Sequence, residues 1–254
     1  MFVQIAINGL IKKRFKLMKK IKIIPTKEEA LLCINIEKSS VHIPNWYKNS
    51  KQKIKNLENF SLSPYIFSST TSTYKKCSPF LDALTNGYIF YLSQDIEVIR
   101  KEDGSPFIMW RTDIIDPISW HDNEQWNGME YPKNCYNFLY KWENNFIIKT
   151  PKGYSTLFTH PHNRLDLPFY TLSGVVDTDK YNLATHFPFF LKNDFTGIIK
   201  SGTPVAQMTF FKRNHWFRDI KKYDENYIKK EKFNFFSNIE RSYKNLIWEK
   251  KNYD

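Results

Sequence analysis

Cysteine is scarce in this chain of 254 residues. Cys33, Cys77 and Cys135 are odd in number, widely spaced and form no Cys-x-x-Cys, which excludes a disulfide framework and a zinc ribbon and fits a reducing cytoplasm. Long apolar runs are missing too. No stretch reaches the ~18 residues of a helical membrane span, and the first residues run apolar and then basic, the reverse of a secretory signal. Met18 is a second candidate start beside Met1. Glycine is sparse and ends at Gly202, and no P-loop, dinucleotide fingerprint or Gly-x-Ser-x-Gly elbow occurs. Glutamate is absent between Glu143 and Glu225, which removes one common general base from the central region.

Aromatic residues are abundant at 17%, which excludes a disordered chain. They accompany many Lys, Asn and Ile, a bias that an AT-rich genome produces without selection for function. The net charge of +12 lies at the ends. Residues 1–22 contribute +7, residues 212–254 contribute +5, and residues 23–211 sum to zero. A nucleic-acid face would concentrate charge on the main domain, so the basic ends read as solvated or partner-facing segments, and nucleic acid is not the favoured partner. The organisation expected is a basic extension over 1–22, a mainly β domain over 23–213 and a basic helical tail over 214–254.

Alternation at Leu32, Ile34 and Ile36 predicts two strands around a turn within 21–37. Polar, Pro-broken sequence follows from 38 to 76, with 68–73 as loop chemistry and Trp46 and Tyr47 as a packing anchor. Ser78-Pro79 opens a helical turn, Asn86-Gly87 supplies a positive-φ turn, and strands are expected at 88–92, around Ile96 and Val98, and at 107–110 beyond a turn at 102–105. The segment 113–133 has no period and reads as a long loop. Residues 137–149 read as strand or short helix. Strands at 154–159, 170–176, 186–191, 196–199 and 204–211 follow, evenly spaced as in a sandwich or barrel. In the tail, Phe236, Ile239, Tyr243, Leu246 and Ile247 recur at helical intervals and predict one amphipathic helix.

Two segments carry a family resemblance. Ser173-Gly174-Val175-Val176-Asp177-Thr178-Asp179-Lys180-Tyr181 resembles the uracil-pocket motif of the trimeric dUTPases, and Gly202-Thr203-Pro204-Val205-Ala206-Gln207-Met208 is similar to a later motif of the dUTPases and dCTP deaminases. Asn86-Gly87-Tyr88 with Ser93-Gln94-Asp95-Ile96 is a weak copy of the first motif, so the resemblance spans about 85–212. It implies a β-clip fold, a distorted barrel that assembles as a homotrimer with sites between subunits. It also implies a nucleotide-like ligand held by Asp177, Tyr181, Gln207, Gly202 and Gly87, with Arg164 as its anion partner and Asp177 as the group orienting a water or sugar hydroxyl. Pro79-Phe80-Leu81-Asp82-Ala83-Leu84-Thr85-Asn86-Gly87-Tyr88 and Phe158-Thr159-His160-Pro161-His162-Asn163-Arg164 also resemble an uncharacterised phage and bacterial family of unknown function, which implies the cytoplasm of a bacterial or infected cell and no activity.

The departures from the dUTPase pattern bear on chemistry. Lys180 is inserted before Tyr181, Ile89 stands where an Asp is kept, no Arg-Ser-Gly phosphate clamp occurs, and the glycine-rich lid is absent. Standard dUTP hydrolysis or dCTP deamination is therefore not expected. Read without the family, Asp177, Thr178 and Asp179 can equally cap a turn, with Tyr181 in the core and Gln207 a polar residue at a sheet edge. A second chemistry is open at His160, His162 and Asp166, which approximate the first cupin motif and would ligate a divalent metal, with His186 or His215 completing the set. A third reading is a non-enzymatic interaction protein that meets its partner through the basic ends.

Overall fold

The computed structural model describes residues 19–55, 70–111, 115–236, 243 and 247–253. The first half begins with β1 (Lys22–Pro25), a 3-10 turn at Glu28–Cys33, β2 (Ile36–Lys38), the short helix α1 (Asn45–Asn49), β3 (Lys53–Lys55) and β4 (Thr70–Ser72). After α2 (Ser78–Thr85) come β5 (Tyr88–Tyr91), β6 (Ile96–Arg100), β7 (Pro106–Met109) and β8 (Ile118–Trp120). The second half holds β9 (Cys135–Trp142), β10 (Phe146–Lys149), β11 (Tyr154–Thr159), β12 (Phe169–Thr171), β13 (Gly174–Val176), β14 (Phe187–Lys192), β15 (Gly197–Ile199) and β16 (Pro204–Lys212), then α3 (Glu225–Phe236). The protein is mainly β, as its turn spacing and alternation predict.

All strand pairs are antiparallel. A five-stranded sheet runs β13-β11-β16-β5-β2, a four-stranded sheet runs β12-β14-β9-β8, and β15-β6-β7, β1-β10 and β3-β4 form smaller sheets. The described strands therefore make several separate sheets and no closed barrel, which corrects that part of the expectation. The two larger sheets face each other across an aromatic core. Phe90 of β5 and Phe158 of β11 each lie 5.1 Å from Phe187 of β14, and Trp142 of β9 stacks on Phe189 at 3.7 Å. The Phe187-Pro188-Phe189-Phe190 run is core because Phe187, Phe189 and Phe190 are fully buried.

Several local expectations hold closely. Strand β11 spans the predicted 154–159, and β14, β15 and β16 agree with their predicted ranges to within a residue. Gly87 has φ 69°, and a Cβ placed there would stand 1.9 Å from the Met208 carbonyl oxygen, so only glycine lets β5 approach β16 so closely. Trp46 and Tyr47 anchor a ring cluster with Tyr74 and Phe80.

Other expectations are corrected. Two strands do flank a turn in 21–37, β1 and β2, but the second starts only at Ile36: residues 28–33 form the 3-10 turn, leaving Leu32 81% exposed. The run 170–176 is split, because β12 pairs with β14 and β13 crosses to β11 in the other sheet. The loop at 113–133 contains β8 and a 3-10 turn capped by Asp122, and β4 lies inside the serine-threonine cluster. The tail is not helical from 215, since α3 begins at Glu225. The helical face expected further on includes Ile239 and Leu246, which lie outside the described residues, as does most of 1–22.

Candidate functional site

The turn after β13 builds the most elaborate polar cluster in the central sheet. Strand β11 pairs with β13 on one side and β16 on the other, with Thr156 opposite Val176 and Tyr154 opposite Lys212. That register brings the start of β11, the end of β13 and the end of β16 together. Arg213, just past β16, donates to Asp179 Oδ1 at 2.9 Å, to Asp177 Oδ1 at 3.0 Å and to Ser155 Oγ at 2.9 Å. Ser155 Oγ donates to Asp177 Oδ1 at 2.6 Å, and the Gly153 N–H donates to Asp179 Oδ2 at 2.8 Å. The Asp179 side chain is 4% exposed whereas that of Asp177 is half exposed.

These partners favour the charged carboxylates. Guanidinium contact from Arg213, then the Gly153 N–H, hold the Asp179 carboxyl far below the usual range; the Ser155 hydroxyl, then the Arg213 charge, lower Asp177. Beneath the cluster the buried hydroxyl of Thr178 links those of Thr150 and Thr156, each at 2.8 Å. Lys149 Nζ clamps the turn from outside through the carbonyls of Asp179 and Tyr181, both at 3.1 Å, and Asn182 Oδ1 at 2.8 Å. The whole device fixes residues 177–181 as a rigid edge.

That edge forms one wall of an open cleft of about 790 Å³. Asp177, Lys180 and Tyr181 line it together with His121, Lys141 and His186. Tyr181 is 42% exposed. His186 is oriented by Glu143, whose Oε2 lies 2.8 Å from Nδ1, while Glu143 Oε1 accepts from Ser119 Oγ. Burial alone would raise the Glu143 carboxyl, but the bonds from His186 and Ser119 outweigh it and leave it lowered. The cleft thus combines an exposed aromatic face, two ammonium groups, a carboxylate-oriented imidazole and one half-exposed carboxylate, a donor set suited to an anion that carries a ring.

Of the residues expected at the site, only Asp177 and Tyr181 meet there. Gln207 pairs with Thr159, four residues along β11 from Ser155, on the order of 13 Å away. It is central in the sheet and not at an edge. Its side chain is buried and engaged, accepting from the His162 N–H at 2.8 Å and donating to the carbonyls of Ala83 at 2.9 Å and Asn86 at 2.6 Å. Arg164 forks onto Asp166 through Nε at 2.9 Å and Nη2 at 2.9 Å, so it is the partner of Asp166 and not of the Asp177 edge. Gly87 serves the close strand approach described above, and Gly202, with φ 81°, makes the turn into β16 with its N–H on the Leu92 carbonyl.

The histidine constellation is likewise spoken for. Pro161 follows the end of β11, where it costs no ladder hydrogen bond. His160 Nε2 bonds the Arg164 carbonyl at 2.9 Å, its Nδ1 accepts from the Thr171 N–H at 3.3 Å, and its ring stacks on Tyr170. Burial lowers the pKa of both His160 and His162. Asp166 is held by Arg164 and Trp46. His186 sits in the cleft with Glu143, and His215 is exposed beyond β16. Among the described residues no group of three or more His, Cys, Asp or Glu is placed to hold a metal, and no helix is long and apolar enough to cross a membrane.

Comparison with protein-family models, with curated proteins and with solved structures finds no match to this chain. The site residues that sequence reasoning missed are Arg213, Lys141 and Glu143. His186 was expected only as a metal ligand, and Lys180 carried a signal as the residue inserted into the dUTPase-like motif.

Proposed function

We propose that the protein binds a nucleotide-like anionic small molecule in the cleft beside Asp177 and Tyr181. On this reading it is a divergent dUTPase-like, β-clip protein that assembles as a homotrimer and binds its ligand without standard dUTP hydrolysis or dCTP deamination. The observation that carries the reading is that the motif-bearing turn contributes Asp177, Lys180 and Tyr181 to one cleft that Lys141 and His186 also line. The Tyr181 ring offers a face for a base, the lysine ammonium groups offer charge to a phosphate, and Asp177 Oδ2 is left for a sugar hydroxyl while Oδ1 is held by Ser155 and Arg213. The inserted Lys180 takes the anion-binding part that Arg164, committed to Asp166, does not.

The test is a thermal-shift and calorimetric titration of the full chain with deoxynucleotides and ribonucleotides. A ligand at a hundredfold its dissociation constant stabilises the native state by about 2.7 kcal/mol, so a binder gives a clear rise in Tm. Lys180→Ala and Tyr181→Ala are expected to abolish that rise, and Asp177→Ala to weaken it, with Arg164→Ala leaving it unchanged. Absence of binding by every nucleotide at millimolar concentration would overturn the reading.

A further inference from the structure

Beyond Arg213 the chain leaves the sheets. Residues 214–224 have no regular structure, and every residue from 214 to 233 is exposed. Four large apolar side chains stand out from this short arm: Trp216 is 87% exposed, Phe217 94%, Ile220 78% and Tyr223 81%. The arm is tethered at both sides. Arg213 is pinned to Asp177 and Asp179, and after α3 the chain returns to the body, where Trp248 Nε1 and Lys251 Nζ each reach Asp82 Oδ2 at 2.8 Å. A tryptophan and a phenylalanine next to each other, almost wholly in water, form the kind of apolar patch that marks an interaction surface.

The same chain carries a groove of matching chemistry. Between the β6–β7 hairpin and the β8–β9 pair lies an aromatic-lined groove of about 510 Å³, walled by Phe107, Trp110, Trp120, Tyr136, Phe138 and Tyr140. Phe107 is 47% and Trp120 58% exposed. Charge is complementary as well. The arm's residues 214–224 carry Arg218, Lys221 and Lys222 against Asp219 and Asp224, with Lys221 paired to Asp219, whereas Asp116 accepts from the groove's Trp110 at 2.9 Å and Glu124 lines an adjoining depression that shares Asn137 with the groove. On the Phe107 wall, Lys101 lies over the ring. The arm does not lie in the groove of its own chain, since its apolar side chains are exposed.

We propose that the arm docks in trans: Trp216 and Phe217 of one copy enter the Phe107–Trp120 groove of a second copy of this chain, with Arg218 and Lys222 set against Asp116 and Glu124. Each protomer offers one arm and one groove, and reciprocal exchange in a dimer, or a ring whose rotation closes, covers every such surface. The partner is a second copy because both complementary surfaces belong to one sequence.

The test measures the mass of the full-length protein in solution across a concentration series by light scattering and sedimentation. The wild type is expected to self-associate. A Trp216→Ser, Phe217→Ser double variant and, separately, a Trp120→Ser variant should each weaken association by about a hundredfold, the loss of a buried aromatic anchor, with Tm of the dissociated protein unchanged. Mixing the arm variant with the groove variant, under different tags, leaves one intact arm facing one intact groove, so the two should co-purify although neither self-associates. A wild type that stays monomeric throughout, an assembly that survives both variants, or one lost with the arm variant but untouched by Trp120→Ser, would each overturn the proposal.

Discussion

Arg213 and Trp216 are three residues apart in sequence and lie on opposite sides of a sharp boundary. Arg213 closes the central sheet: its guanidinium satisfies two carboxylates, a serine hydroxyl and a carbonyl at once. Trp216 is almost wholly exposed and makes no ring contact among the described residues. In the body the buried Gln207 and the Thr150–Thr178–Thr156 hydroxyl chain are paired, although Gln94 Oε1, Trp126 Nε1, Tyr136 OH and Thr159 Oγ1 are buried without a hydrogen-bond partner among the described residues. The arm is built so that apolar groups are left out. Burial of apolar surface is the main favourable force in folding and association alike, so the first region is where stability resides and the second is where assembly would draw on the same force.

Substitutions can sharpen that contrast. Trp142→Ala, which empties the stacked centre of the core beside Phe189, is expected to cost about 4 kcal/mol in urea unfolding. Thr178→Val removes the hydroxyl that joins Thr150 to Thr156 and should cost about 2 kcal/mol by leaving buried hydroxyls unsatisfied.

Acid stability separates the regions next. The carboxyls of Asp177 and Asp179 are held below their ordinary value, so their contribution is present in full above about pH 4, the unperturbed aspartate range, and is lost as pH falls through the lower folded values. Asp179→Asn should therefore lower Tm at pH 7 and flatten the dependence of Tm on pH on the acid side, measured by thermal unfolding from pH 7 to pH 2. The smallest effect belongs to the arm: Trp216→Ser should change the unfolding free energy of the dissociated chain by no more than about 0.5 kcal/mol. A larger loss would erase the boundary drawn here.

Much of the sheet was legible because alternation and turn chemistry are local. Tyr154–Thr159 and Pro204–Lys212 read as strands from their β-branched and aromatic content, and Asn86-Gly87 announced its turn because few other residues adopt a positive φ. The failures also have a physical cause. Leu32, Ile34 and Ile36 alternate as a strand does, but alternation reports what a strand would bury and not whether a partner lies beside it, and the chain turns through a 3-10 helix to Cys33 before Ile36 meets β5. The run from Tyr170 to Val176 reads as one strand, yet it serves two sheets that part around Ser173-Gly174, a division that depends on which neighbour each half meets.

The cleft shows the same limit. Asp177 and Tyr181 were readable as a pair because they sit four residues apart in one turn. Gln207 was expected beside them on motif spacing alone, and the register of β11 against β16 carries it to the other end of the strand. The same register delivers Arg213 to Asp177 and Asp179 across more than thirty positions, which no local pattern encodes. By itself, then, the sequence determined that the protein would be mainly β, where its tight turns fall, and that its charge sits at its ends, since all three follow from neighbouring residues and composition. Tertiary structure alone decided which carboxylates find a guanidinium, which histidines are occupied by backbone and which aromatics stay in water, because those outcomes depend on distances set by strand register and sheet packing.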